Sequence, residues 1–268
     1  MLRYTSNTYD CLIKNDSGGV GPLHTTIKLQ DPITLHPSKR IVIVPKQGRL
    51  STGIPNIYSY GGWNNTKIYV RRNVADIWTL ITLKPGVYTT CQTIEAAITD
   101  VVAAWYDDPL DPALQIRPNF VTEETYITID SSKLAAGGTQ MCVWLPPDIS
   151  ETLGYTPNIE FNNDGIHTST LEVKMDTQTT GASITNSLSQ AIFLNGKISN
   201  VIMTIPIVFT NSNEYVYPDA YIEPSQLTYT GSQFISQYEV NVLTANGDEM
   251  VFMNGSKLYL SFEIRQEL

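Results

Sequence analysis

Catalysis or metal binding in this chain would have to rest on three histidines, three cysteines and the acidic clusters. His24 and His36 flank a predicted strand and His167 sits in a polar loop, so no pair has the i, i+2 or i, i+4 spacing that puts two imidazoles on one metal. Cys11, Cys91 and Cys142 are odd in number and far apart, which reads as free thiols in a reducing compartment. No serine or cysteine lies in a Gly-x-Ser-x-Gly nucleophile turn, although triad partners need not be neighbours in sequence. Asp107, Asp108 and Asp111 cluster around prolines, and Asn162-Asn163-Asp164-Gly165 is a second oxygen-rich spot. Neither has the ordered ligand register of a calcium loop, so both are read as turn and helix-stop chemistry. Gly18-Gly19-Val20-Gly21 lacks the lysine and preceding strand of a phosphate loop. The residues therefore predict no catalytic group, no metal and no cofactor.

Composition narrows the classes further. The 268 residues carry 17 Lys+Arg against 26 Asp+Glu, a formal charge of −9, and only 16% are charged while 42% are hydrophobic. That hydrophobic content excludes a disordered chain, and the acidic balance argues against direct nucleic-acid binding, which needs a basic footprint larger than Arg71-Arg72. The first two dozen residues hold no apolar run of the length a signal peptide or spanning helix needs, so neither classical secretion nor a membrane span is expected. Asn15, Asn64 and Asn254 fit the glycosylation triplet, a chance match without a signal peptide.

The elements that would have to position any site are mostly strands. Residues 1–22 are polar, end in Gly-Gly-Val-Gly-Pro, and read as a flexible N-terminal arm. Residues 23–268 read as a single domain with insertions. Alternation or β-branched runs predict strands at 25–29, 39–44 (stopped by Pro45), 67–70, 77–83, 126–130, 141–145, 201–209, 238–243 and 257–264. The strands at 126–130 and 141–145 read as an antiparallel pair. Asp31-Pro32 reads as a turn, 46–63 as a long connection, and 156–190 as an edge hairpin. One amphipathic helix stands out, with Thr89 and Gln92 as a capping box and Ile94, Ile98, Val101 and Trp105 as one stripe. A short helical turn, capped by Asp148 and closed by Gly154, follows at 148–153. The sum is an all-β chain: a single jelly-roll β-sandwich with one short amphipathic helix and long inter-strand insertions.

Aromatic side chains are the most suggestive chemical feature, with 15 Tyr, 7 Phe and 4 Trp. Tyr58, Tyr60, Trp63, Tyr215, Tyr217 and Tyr221 fall in predicted loops, where large amphipathic rings suit protein interfaces or sugar-binding surfaces. These six are the candidate assembly contacts. Equally, they could plug the ends of a sandwich.

Three segments together resemble the penton (vertex, minor capsid) proteins of virophages and polinton-like viruses. One is Leu83-Lys84-Pro85-Gly86-Val87-Tyr88 with the helix behind it. Another is the strand pair running into a short helix that ends Leu153-Gly154-Tyr155, similar to that family's L-G-F stop. The third is a carboxyl-terminal hairpin, 238–243, Asn246-Gly247-Asp248 and 257–265. Ile27-Lys28-Leu29-Gln30-Asp31-Pro32-Ile33 is similar to that family's first strand. The resemblance implies a jelly roll that forms homopentamers at the fivefold vertices of an icosahedral virion, beside a double-jelly-roll major capsid protein, with no catalytic residues. It also implies a location in the virion after assembly inside the host cell. The residues alone leave open a carbohydrate-binding or host-attachment module, because jelly rolls also bind sugars.

Overall fold

The computed structural model describes residues 4–34, 40–51, 53–119, 122, 124–174, 181–187, 192–194, 197–199, 201–207, 214–216, 225–226 and 234–267. In chain order the longer elements are β1 (Tyr4–Lys14), β2 (His24–Thr34), β3 (Arg40–Ser51), β4 (Lys67–Arg71), β5 (Thr79–Thr82), α1 (Cys91–Val102), β6 (Leu114–Asn119), β7 (Glu124–Ile129) and β8 (Cys142–Leu145). They continue with α2 (Pro147–Thr152), β9 (Ile159–Phe161), β10 (Gly165–Thr168), β11 (Gly181–Asn186), β12 (Val201–Pro206), β13 (Glu214–Val216), β14 (Ser225–Gln226), β15 (Phe234–Thr244) and β16 (Lys257–Glu267). The chain divides into two compact units, one made of 1–54 and 178–268, the other of Pro55–Thr177.

The first unit is an antiparallel sandwich. One sheet runs β1-β16-β3, with β13 and β14 both pairing with the far edge of β3; the other runs β12-β11-β15-β2. Counting β13 and β14 as one interrupted strand and numbering the eight sandwich strands along the chain, the orders are 1-8-3-6 and 2-7-4-5. That is the jelly-roll order, two Greek keys folded onto each other. The second unit is inserted between the third and fourth strands. Alternation explains the core: in β16, Leu258, Leu260, Phe262 and Ile264 are at most 3% exposed, and they meet Val240, Val242 and Tyr238 from the other sheet. Tyr238 and Phe262 pack edge to face, 5.4 Å between centroids.

Several expectations are corrected here. From Tyr4 onward the expected N-terminal arm, 1–22, is part of the folded body: Tyr4–Lys14 pairs with β16 over eleven residues, Ile13 is buried in the core, and the following turn is pinned by Asn15. The Asn15 side-chain amide, 3% exposed, donates to the carbonyls of Gly19, Phe252 and Met253, so this glycosylation triplet is closed in the folded state. A polar strand was hidden because β1 sits at a sheet edge with its outer residues in solvent. Pro45 does not stop β3. A register shift opposite Ser261/Phe262 lets the strand continue to Ser51, the usual way a proline is housed in a sheet. Asp31-Pro32 likewise lies within β2, an edge strand with a register shift. The carboxyl-terminal segments are not a hairpin, since β15 and β16 belong to opposite sheets. Among the described residues of 156–190 there is no edge hairpin either: β9 and β10 pair in different sheets, and β11 is central, between β12 and β15.

The second unit has its own core, built from a four-stranded sheet (β9-β8-β4-β5), a three-stranded sheet (β10-β7-β6) and α1. The strands β7 and β8, expected to pair, lie in these two different sheets. Helix α1 begins after Thr90, with no side-chain cap bond and so no capping box from Thr89. Its buried face is Cys91, Ile94, Ile98 and Val102, while Val101 is 60% exposed. The buried Glu95 carboxylate fastens this helix to β6, accepting from the Ile116 amide and pairing with Arg117. Helix α2 has Pro147 in its first turn, and Asp148 accepts from the Asn64 amide rather than capping. Its other end closes as the sequence predicts. Gly154 N–H bonds to the Glu151 carbonyl and Tyr155 N–H to the Ser150 carbonyl, a Schellman stop with Gly154 at φ +78°.

Candidate functional site

The polar clusters that could have carried chemistry are occupied with structural work. Asp111 pairs with Lys133 at 2.6 Å, Asp108 accepts from the Leu110 amide, and Asp164 accepts from Ser131. His24 is exposed on β2, and His167 lies against Phe161 with Nε2 3.1 Å from the Asn163 carbonyl. His36 lies outside the described residues. Cys91 and Cys142 are buried and Cys11 half-buried, all three free. Burial, with the neighbouring Asp10 charge, pushes the Cys11 thiol up to about 12, so it is a poor nucleophile. Among the described residues no three His, Cys, Asp or Glu side chains are grouped to hold a metal, and no helix is long and apolar enough to cross a membrane.

The six candidate contact residues divide between the units. Tyr58, Tyr60 and Trp63 come together around the two-residue ladder Ser59–Tyr60 and Trp63–Asn64, and all three are half-buried. The turn is locked by Asn65, whose side-chain oxygen accepts from the Tyr58 amide while its nitrogen donates to the Asn56 carbonyl and to Thr152. Burial, then the Asp148 charge, raises the Tyr58 hydroxyl above its ordinary range. Tyr215 is in β13, opposite Leu50 of β3. Tyr217 and Tyr221 lie outside the described residues.

Sequence reasoning missed a second aromatic group. Glu160, Trp144, Tyr69 and Leu80 stand in register across β9, β8, β4 and β5, one residue from each strand. Inward neighbours Ile68, Val70, Val143 and Ile81 are at most 1% exposed, so this row forms the outer face. The Tyr69 and Trp144 rings stack at 4.5 Å, Trp78 tilts against Trp144 at 6.1 Å, and the Arg71 guanidinium lies 4.1 Å over Trp78. Arg71 also donates to Glu160 and Asn162. The Trp144 indole N–H donates to Asn158, the one non-glycine residue with positive φ among those described. Leu80 is 45% exposed and Ile77, expected as the first residue of a strand 77–83, is 92% exposed because β5 begins only at Thr79. Alternation marked the strands, but only their pairing in register brings Tyr69, Trp144 and Leu80 side by side.

The fold therefore defines an all-β protein: a jelly roll carrying a second β-rich unit between its third and fourth strands. No family model and no curated protein matches the chain. Among solved structures it is similar to the mavirus penton protein, at 10% identity and TM-score 0.47, covering 98% of this chain and 99% of that one. It is also similar to a chain of the Sputnik virophage structure, at 13% identity and TM-score 0.33, covering 95% and 97%.

Proposed function

We propose that this chain is a structural capsid protein of an icosahedral virus particle, forming homopentamers at the fivefold vertices beside a double-jelly-roll major capsid protein. The observation that carries the reading is the 1-8-3-6 and 2-7-4-5 strand order of the first unit, taken with the penton-like motifs at 83–88, 153–155 and 27–33. A jelly roll offers rigid flanks and short edges on which copies can pack around an axis, a heterologous contact that closes into a ring. The low share of charged residues, 16%, supports it, because interface cores are depleted in charge. In this reading the protein acts by assembly alone, without catalysis, cofactor or direct genome contact, and its place is the virion after assembly in the host cell.

Light scattering on the purified protein tests this. A species near five times the 29.8 kDa chain mass supports the pentamer. A strict monomer at every concentration that is retained on glycans overturns it in favour of an attachment module.

A further inference from the structure

Among the described residues the two sheets of the jelly roll have four edges, and three of them are covered or blunted. β13 and β14 cover the outer side of β3; β2 carries Asp31-Pro32 and a register shift; β12 ends in Pro206 and pairs with β11 through a register shift. β1 has none of these devices. It pairs with β16 over eleven residues without a proline or a register shift, and among the described residues nothing pairs with its other side. The turn that follows leaves that side open, because it bonds back towards β16: Asn15 N–H to the Ser256 carbonyl, and Gly255 N–H to the Asn15 carbonyl. Ile13 points into the core, so Asp10, Leu12 and Lys14 stand on the solvent face and are exposed, Leu12 to 55%. Across the ladder Lys14 stands opposite Lys257, a like-charge pair, and neither lysine has an acidic partner among the described residues. Leu12 stands opposite Tyr259, whose hydroxyl donates to Asp10 at 3.1 Å.

We propose that β1 pairs antiparallel with β1 of a second copy, about a two-fold axis at Leu12. That register sets Asp10 of each copy against Lys14 of the other, supplying the anion that the Lys14–Lys257 pair lacks. It also sets Leu12 against Leu12, between the two Tyr259 side chains. Neighbouring registers do neither. An axis at Cys11 or Ile13 sets a charge against Leu12, an axis at Asp10 or Lys14 sets a charged residue against itself, and an axis between residues turns one core face to solvent. Charge and polarity in register thus name the occupant, and the backbone groups on the open side of β1 gain partners in the same step. A two-fold contact is isologous and closes at two copies, so it is distinct from the contact of a ring and goes beyond the pentamer reading.

The test is disulfide trapping in the full chain carrying Leu12→Cys, read as the rate at which a band of twice the chain mass forms under mild oxidant. In a fivefold ring, residues away from the axis never face their own copies, so trapping reads the two-fold contact alone. His24→Cys, exposed on the blunted edge β2, is the control. Adding Asp10→Lys or Lys14→Asp to Leu12→Cys is expected to slow trapping roughly tenfold or more, and adding both to restore it. All these positions are exposed, so circular dichroism and melting should be unchanged. Trapping no faster than in the control, or a double reversal that stays as slow as the single ones, overturns the inference. If trapping follows the expected pattern while no fivefold mass appears, the edge contact stands and the pentamer reading fails; fivefold mass without trapping gives the reverse.

Discussion

The two units solve the same problem, burying a β-rich core, in opposite ways. The jelly roll has five strands that run eleven or twelve residues and pair with segments remote in sequence: Tyr4 pairs with Glu267. It closes only when the last strand has been made, and its ten basic and eleven acidic residues nearly cancel. The inserted unit is continuous in sequence, with strands of three to six residues clipped by turns whose side chains bond backbone, as Asn65, Asp130 and Ser131 do. Its formal charge is −8, from seven basic and fifteen acidic residues. The contrast separates two demands. Long strands with partners remote in sequence tie the jelly roll into one body that folds as a whole, whereas local, side-chain-capped turns let an inserted unit fold without its host.

The contrast can be broken most directly at the N-terminus. Deleting Met1–Pro22 removes the whole β1 ladder of β16 and should abolish folding of the jelly roll while Pro55–Thr177 survives as the protease-resistant fragment. A resistant core of nearly full length in the deleted protein would show that β1 is dispensable and the two units are not independent.

Next in size is Gly154→Ala. A Cβ there would sit 2.6 Å from the Leu171 carbonyl oxygen, on a residue at φ +78°. Left-handed strain and overpacking together should cost about 3 kcal/mol, confined to the inserted unit and seen as a lowered midpoint in one of two urea transitions. Equal shifts in both transitions would contradict the separation.

Alkaline pH should act on both units. Burial raises Tyr106 and Tyr155 in the inserted unit, and Tyr238 and Cys11 in the jelly roll, above the ordinary 10.0 for tyrosine and 9.0 for cysteine. The folded state holds these protons more tightly than the unfolded chain. Their contribution is therefore complete below the ordinary values and declines as pH rises through them, by up to about 1.4 kcal/mol per pH unit for each group. Tyr155→Phe should flatten that decline for the inserted unit alone, read as urea midpoints between about pH 8 and 11; an unchanged slope would exclude Tyr155 as a source. The smallest effect is ionic. Salt that shortens screening from about 30 Å to a few ångströms should raise the inserted unit's stability by a few tenths of a kcal/mol and leave the near-neutral jelly roll unmoved in calorimetry.

Much of the fold is legible in the chain alone. The all-β class, the helix around Ile94 and Ile98, the stop at Gly154 and the strands 67–70, 141–145 and 257–264 follow from residue periodicity and from glycine's access to positive φ, which are local properties. What failed also has local causes. β1 is polar because half of it faces solvent, so it reads as an arm; β3 contains Pro45 and reads as ended. Adjacency in sequence pairs β7 with β8 and β15 with β16, and each pair is split between sheets. Adjacency is a weak guide in a Greek key, where a strand's neighbour is chosen by sheet closure and not by the shortest loop. The outer aromatic row was illegible for the same reason, since Tyr69 and Trp144 meet only through the register of β4 with β8.

Which residues alternate, how the second helix stops and how charge is divided along the chain all follow from residue order, because each depends on a residue and a few neighbours. Long-range pairing is what seals the sheet with Tyr4–Lys14 beside Lys257–Glu267, makes Pro55–Thr177 a unit of its own, and brings Tyr69, Leu80, Trp144 and Glu160 onto one face. Those outcomes depend on register between segments tens to hundreds of residues apart, which no local pattern specifies.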